Sequence, residues 1–341
     1  MEKIDWVLRN ALGRRLECES QAQVMDDLPQ FSQAKCIAGR AAAPPADRLC
    51  AAVFNMERGV QLYESIDFLK DCPALQPADL IFANELDDGC ARSGLRDNTR
   101  LLAEALGMYA VFGLEFIELN TGPDEKGYHG NALLSRWPIT WAEVLRLPEA
   151  YNWYFDRQKR IGGRCAVFAR LDVGGRALGA VSVHLENRTD GIGRRRQMQA
   201  VLDEAARVFT GLPVIIGGDL NTNTFDGRDK KIIGKMADDP VFYRAHLDGM
   251  AVYEPLFEAA AAAGYRWQDA GPMTRRKPLP GGRTLELQLD WILQRGLRLE
   301  ESRVVSTRRA DCTFARAGSA LADFQGQELS DHNVVWARLV F

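Results

Sequence analysis

Eight polar residues close, follow or directly precede apolar runs along this chain: Asn55, Glu85, His184, Asp219, Asn221, Asp290, Asp331 and His332. They stand in VFNMERG, DLIFANELDD, AVSVHLENR, PVIIGGDLNTN, LQLDWIL and LSDHNVV. Hard oxygen ligands suit Mg²⁺ or Mn²⁺ better than zinc, so Glu85, assisted by Glu57, Asn55 or Asp331, is a candidate cation site. An aspartate such as Asp219 can orient or deprotonate a water. A histidine backed by an aspartate, such as His332 with Asp290, can keep its proton and hold developing negative charge. Cation, oriented water and phosphoryl donors together are what phosphoester hydrolysis needs.

Taken singly, each residue has a plainer reading. GDLN can be a turn, with Gly217 and Gly218 permitting tight backbone and Asn221 as a cap; SDH can be a surface turn; His184 can be a core histidine. The joint pattern weighs against this, because two of only four histidines fall inside it. His246 reads as structural or exposed. His129 and Asn131, in GYHGNALLSR, stay open between supporting or lining the site and an ordinary loop position.

These residues need strand ends that converge. Apolar runs predict strands at 50–55, 79–84, 109–116, 131–135, 164–171, 177–184, 213–217, 289–293, 303–306 and 334–341. Helical periodicity marks 99–106, 194–208 and 252–263, the last stopped by Gly264. Segment 225–250 is charged and reads as a partly helical insertion. So many strands, often adjacent without a helix between, predict an α/β layered domain built on two packed mixed sheets with helices outside, and not a doubly wound parallel sheet. Strand ends in such a domain share one rim, where sites are built. Residues 1–49 read as an N-terminal helical extension (a helix near Ile4–Leu16) with a linker, AAAPPAD, at 41–47; residues 50–341 then form the catalytic domain.

Composition narrows the class. With 46% hydrophobic and 26% charged residues, the 341-residue chain is ordinary for a globular protein, and a net charge of -3 gives no global pull toward nucleic acid or an anionic membrane. Seven scattered cysteines without a CxxC pair argue against a disulfide framework or a cysteine zinc site. The start, MEKIDWVLRN, lacks the long apolar run of a signal or a membrane span, and no later stretch supplies one. A cytoplasmic protein with no integral membrane segment and no evident obligate protein partner is the expectation.

In this order, N-x-E, a strand-ending Glu, GDLN and a terminal SDH resemble the endonuclease/exonuclease/phosphatase superfamily, over about Cys50–Phe341. The resemblance implies a four-layer α/β sandwich and a Mg²⁺-dependent phosphoester hydrolase, with Mn²⁺ a possible substitute. By its motifs Glu85 looks like the principal Mg²⁺ ligand, Asn55 like the first-motif Asn and Asp331 like the metal-side Asp. His184 resembles a phosphate-binding His, Asp219 the water-orienting Asp and Asn221 the phosphate-contacting Asn. Asp290 and His332 resemble the terminal histidine and its partner. His184 tilts away from abasic-site repair members, and the first motif has Glu57 where those have Asp, which leaves its metal role open. A phosphodiesterase or phosphatase on a lipid-head-group-like or small phosphorylated substrate is the leading expectation, and a DNA or RNA nuclease the alternative.

Three basic clusters bear on that choice. Arg157–Arg164 and Arg275–Arg283 are candidates to flank a cleft, whereas Arg194–Arg196 reads as a solvated helix face. The aromatic run Tyr151–Phe155 is open between a substrate-stacking rim and a buried edge.

Overall fold

The side-chain period of two sorts each long strand between two cores. In the strand through residue 50, Leu49, Ala51 and Val53 point to one buried cluster, whereas Cys50, Ala52 and Phe54 point to another. The computed structural model describes residues 1–40, 43–222, 226, 228–248, 253–268, 273–279 and 282–341. In chain order its elements are α1 (Trp6–Arg15), α2 (Gln21–Asp26), β1 (Lys35–Ile37), β2 (Arg48–Arg58), α3 (Leu62–Asp71), β3 (Leu80–Asp88), α4 (Asn98–Leu106), β4 (Tyr109–Glu118) and β5 (Tyr128–Ser135). Then come β6 (Ile139–Arg146), β7 (Arg160–Gly162), β8 (Cys165–Val173), β9 (Arg176–His184), α5 (Gly191–Val208), β10 (Val214–Asp219), α6 (Lys230–Asp238), α7 (Pro240–Asp248) and α8 (Leu256–Ala262). The chain closes with β11 (Arg266–Trp267), β12 (Arg275–Pro278), β13 (Thr284–Leu287), β14 (Asp290–Arg295), β15 (Arg298–Val305), α9 (Ala320–Asp323) and β16 (Val334–Val340).

The strands form two large mixed sheets. The first runs β1-β4-β5-β3-β2-β16-β15, with β7 on the far end of β4; the second runs β11-β14-β10-β9-β8-β6. Among the described residues only β2–β3 and β9–β10 are parallel pairs. Val53, Phe82, Val111 and Leu133 of the first sheet meet Val167, Ala180, Ile215 and Ile292 of the second in a shared apolar core. Helices α3 and α4 cover the outer face of the first sheet, and α5 and α8 that of the second. The chain is a four-layer α/β sandwich.

Local signals set several boundaries. Asp97 caps α4 by accepting from Arg100 N, and Gly107 ends it in a left-handed conformation at φ 68. Asp190 caps α5 through Gly193 N. The sequence reading misses α3, whose LYESIDFLKD buries Leu62, Ile66 and Leu69 on one face, and the edge strand β6, which is only half buried. The helix expected over 252–263 starts at Leu256, after Pro255; Val252 lies outside the described residues. Within 225–250 the structure has α6 and α7, with Phe225, Gly227, Gly249 and Met250 outside the described residues.

The N-terminal segment packs onto the first sheet. Its Leu12, Leu16, Val24 and Phe31 join the buried cluster under α3 and α4, and β1 pairs with β4. Gln21 Oε1 accepts from Gly162 N at 2.9 Å and its Nε2 donates to Asn152 Oδ1 at 3.0 Å. Tyr154 Oη donates to Glu17 at 2.7 Å. Of the expected linker, Ala41 and Ala42 lie outside the described residues. All seven cysteines are free thiols. Among the described residues no helix is long and apolar enough to cross a membrane.

Candidate active site

At one rim of the sandwich the second sheet lines up three candidate side chains by register alone. Asp219 at the end of β10 lies opposite His184 of β9 on one side and Asp290 of β14 on the other. The approach of β9 to β10 is so close that a Cβ on Gly218 would stand 1.7 Å from Val183 O, and one on Gly217 would strike the Phe82 ring at 2.6 Å. The two glycines of GGDLN are therefore packing requirements, which the turn reading left open.

The first sheet delivers its carboxylates differently. Its ladders slip between Asn55 and Arg58, between Ala83 and Leu86, and between Leu114 and Phe116. Glu57, Glu85 and Glu115 sit in those irregular stretches, and Glu57 and Glu85 have left-handed φ of 45 and 55. A bulge bends a strand and re-aims a side chain, at about 1–3 kcal/mol for a non-glycine residue held there.

Asn55 links the two sheets: its Nδ2 donates to Glu85 Oε1 at 3.2 Å and to Asp219 Oδ2 at 3.0 Å, while its Oδ1 accepts from Glu57 N at 3.1 Å. Expected beside the cation, Asn55 here spends its amide on aligning the carboxylates. Glu57 Oε2 accepts from Asp331 N at 3.2 Å. Burial and then the charges of Asp331 and Glu85 push the Glu57 carboxyl above the usual range. Burial opposes ionisation of Glu85 too, yet the cationic groups around it, Arg58 and the Asp290-backed His332 among them, hold it well below that range. Asp331 Oδ2 accepts from Arg275 Nη2 at 2.5 Å and Nε at 3.1 Å.

His332 is backed as the sequence predicts: its Nδ1 donates to the fully buried Asp290 at 2.8 Å. Burial lowers the affinity of His332 for a proton, but the Asp290 carboxylate and its hydrogen bond prevail and lift the imidazole to about 9. His332, Asp219 and Asp290 lie within 4.8 Å of one another by ligand atoms. An imidazolium offers no lone pair, so this trio reads as a proton-holding group and not as a cation site. The loop carrying it is pinned: Ser330 Oγ donates to Asn55 O at 2.7 Å, Thr307 Oγ1 to His332 O at 2.7 Å and Arg276 Nη2 to Ser330 O at 3.0 Å.

His184 Nε2 lies 3.5 Å from Asp219 Oδ2, and its Nδ1 lies 2.9 Å from Arg164 Nη1. Asn221 donates its Nδ2 to Leu185 O at 2.9 Å and its backbone N to Asp219 Oδ1 at 2.9 Å, in a left-handed φ of 50. His129 lines the cavity with Nδ1 on Asp87 at 2.8 Å. Asn131 is fully buried, accepting from Asn84 Nδ2 at 3.1 Å. His246 stacks on Tyr253 at 4.0 Å and does not line the cavity.

The cavity is about 240 Å³ and is lined by Glu57, Glu85, His129, His184, Asp219 and His332 among others. Five arginines also line it: Arg58, Arg160, Arg164, Arg188 and Arg275. The basic clusters thus divide. Arg160, Arg164 and Arg275 reach the cavity, but Arg276 is buried in the loop support, and Arg283 pairs with Asp238 outside. The solvated-face reading of Arg194 is overturned: it is fully buried, paired with buried Glu254 at 2.6 Å, because its helix position faces α8 and a buried charge needs a partner. Arg195 and Arg196 are exposed. Of the aromatic run, Trp153 lines the cavity with Nε1 on Glu186 at 2.8 Å, Tyr154 is buried and Phe155 is exposed.

Sequence reasoning passes over Asn84 and Glu115, and takes Arg164 only as a charge flanking the cleft. Asn84 Oδ1 accepts from Asp219 N at 2.8 Å and its Nδ2 donates to Val183 O at 3.1 Å, stitching the sheets together beneath the site. A lone Glu or Asn inside an apolar strand, as in VFGLEFIE and LIFANE, is the signal that would have found them.

A sequence profile described as "Endonuclease/Exonuclease/phosphatase family" matches residues 53–332. A search of curated proteins finds no significant match. Among solved structures, an endonuclease/exonuclease/phosphatase from Beutenbergia cavernae is similar, with TM-score 0.53 and 17% identity over 87% of this chain and 72% of that one. TDP2 from D. rerio, complexed with a single-strand DNA product, is similar with TM-score 0.51 and 16% identity over 87% of this chain and 100% of that one. The human Nocturnin catalytic domain with bound sulfate gives TM-score 0.51 and 15% identity over 92% and 98%. At these identities the likeness is one of fold.

Proposed function

The chain belongs to the endonuclease/exonuclease/phosphatase family, and from that premise we propose that it is a divalent-cation-dependent phosphoester hydrolase acting on a compact, multiply anionic substrate. The observation that carries the reading is the Asn55 amide holding Glu85 and Asp219 together, one carboxylate suited to a cation and the other to a water. Glu57, Glu85 and Asp331 supply oxygen donors, and the mutual repulsion felt by Glu57 is what a bound cation would relieve, so the residues present fit Mg²⁺, with Mn²⁺ as substitute. When bound, the cation supplies charge neutralisation on the phosphoryl group.

The chain's own groups do the rest. Asp219 orients the attacking water and accepts its proton. His332, kept protonated by Asp290, and His184 donate to the phosphoryl oxygens, joined by Asn221. A small cavity rimmed by five arginines and one tryptophan favours a phosphorylated small molecule or a head-group-like ester. The arginine rim also suits a nucleic-acid strand end, which is the second reading.

The test is hydrolysis of a panel in Mg²⁺: bis-p-nitrophenyl phosphate, inositol phosphates, sphingomyelin and single- and double-stranded DNA. We expect turnover that EDTA abolishes and Mg²⁺ or Mn²⁺ restores, with a phosphorylated small molecule or head-group ester preferred. Full activity in chelator would sink the cation reading, and a preference for DNA would select the nuclease.

A further inference from the structure

Two histidines face Asp219, and their supports differ in a way that fixes where each proton sits. Nδ1 of His332 meets a carboxylate, Asp290. Nδ1 of His184 meets a guanidinium, Arg164 Nη1 at 2.9 Å. Arginine has five N–H donors and no acceptor, so this contact is a hydrogen bond only if Nδ1 carries its lone pair. The ring is then neutral, and its proton is on Nε2, the atom 3.5 Å from Asp219 Oδ2.

We infer that Arg164 is a positioning residue that fixes His184 as a neutral imidazole with its Nε2–H aimed at the reaction centre. The inference rests on the hydrolytic reading of that centre. Glu115 is the competing partner: its Oε2 lies 3.5 Å from His184 Nδ1 but 3.3 Å from Arg164 Nη1. The guanidinium contact is the shorter of the two and is a hydrogen bond, so the carboxylate serves Arg164, whose Nη1 touches both it and the ring. Burial opposes the charge on Glu115, yet the Arg164 guanidinium holds its carboxyl below the usual range.

Arg164 cannot easily turn away. It is only 4% exposed, its Nε lies 3.4 Å from Glu186, and it packs over Phe116 and Trp153 at 5.4 and 5.8 Å from the ring centroids. Trp153 in turn donates to Glu186. The result is a division of labour between the histidines. His332 brings positive charge to the phosphoryl group, whereas His184 brings a hydrogen bond without setting a second imidazolium against the carboxylate that must accept the water's proton.

The test is long-range ¹H–¹⁵N correlation spectroscopy of the full chain labelled with ¹⁵N-histidine, from pH 6 to 8, with His184 assigned by the signal lost in His184→Gln. We expect Nδ1 bare and Nε2 protonated throughout. A proton on Nδ1, alone or together with Nε2, would overturn the inference. Arg164→Met should let Glu115 draw a proton onto Nδ1 and lower kcat on bis-p-nitrophenyl phosphate roughly 100-fold, the scale of one misplaced donor, with a smaller change in KM. Arg164→Lys keeps a cationic donor, so it should retain the wild-type tautomer; loss of that tautomer in a folded Lys variant, or its persistence in a folded Met variant, counts against the assignment. Should Arg164→Met not fold, the wild-type and Lys spectra decide. A wild-type protein that hydrolyses no ester in Mg²⁺ fails the hydrolytic reading alone, because the spectrum reports the tautomer either way.

Discussion

The two sheets bring their side chains to the same rim by opposite means. In the second sheet, His184, Asp219 and Asp290 are lateral neighbours in unbroken register, so their spacing follows from strand pairing itself. In the first, Glu57, Glu85 and Glu115 stand where ladders slip, two of them in left-handed backbone. The proposed base Asp219 and its two neighbours thus sit on regular architecture, and the proposed cation ligands Glu57 and Glu85 on irregular architecture. Proton transfer tolerates little error in distance, and adjacent strands give that precision without strain. Cation ligands must instead converge on one point, which parallel-running side chains of a flat pleat do not do, so bending the strands is the available solution.

The largest effects should come from the regular wall. Asp219→Asn removes the water's base while keeping the shape and most hydrogen bonds. Turnover should fall by roughly 10³-fold or more with little change in Tm, within the range for a positioned general base. Near-normal turnover in that variant would break the comparison at its strongest point. On the irregular wall, Glu85→Gln should raise the Mg²⁺ needed for half-maximal activity by roughly 10- to 100-fold, with part of the loss recovered at saturating metal. A Mg²⁺ titration that superimposes on wild type would remove Glu85 from the cation site.

Asp290→Asn sharpens the distinction between charge and shape. With His332 lifted to about 9, the protonated ring persists through neutral pH, and activity needing it should decline only as pH rises through about 9. Without the Asp290 carboxylate the alkaline limb should move toward the ordinary histidine value near 6.5. The same sign governs stability: a folded value above the unfolded one means the pair's contribution is full below about pH 6.5 and is lost as pH climbs to about 9. A pH–rate profile of Asp290→Asn identical to wild type would refute the pairing. The smallest effect tests strain. Arg58 holds φ 68, and its buried Nε has no hydrogen-bond partner among the described residues. Arg58→Gly should therefore stabilise by about 0.5–1 kcal/mol in denaturant melts. A loss of stability would mean that the left-handed backbone there is held by contacts of the side chain.

The regular wall was also the legible one. A His or Asp at either end of an apolar run is a one-dimensional signal, which is why His184, Asp219, Asp290 and His332 could be named from the sequence. Two packed mixed sheets followed from strands adjacent without helices, and the four-layer sandwich from the family resemblance. The irregular wall is legible only in part: Glu85 ends a run, but nothing near residue 115 shows that the backbone slips there and turns Glu115 to Arg164. Arg194 fails for the complementary reason, since its partner, Glu254, is far along the chain and its burial follows from which face α5 turns inward. The edge strand β6 carries only half a burial pattern, so its alternation is weak.

Trimming the chain at residue 49 would remove part of the pocket's frame. Gln21 and Glu17 hold Asn152, Tyr154 and Gly162, and the stretch between those residues carries Trp153 and Arg160, with Arg164 two residues beyond. A protease that cut near the linker would leave every proposed catalytic side chain in place, yet release the strap that keeps the arginine wall upright. Such a nicked protein should keep the Asp219 wall of its second sheet while losing its grip on anionic substrates, so binding and chemistry would part at a peptide bond far from either.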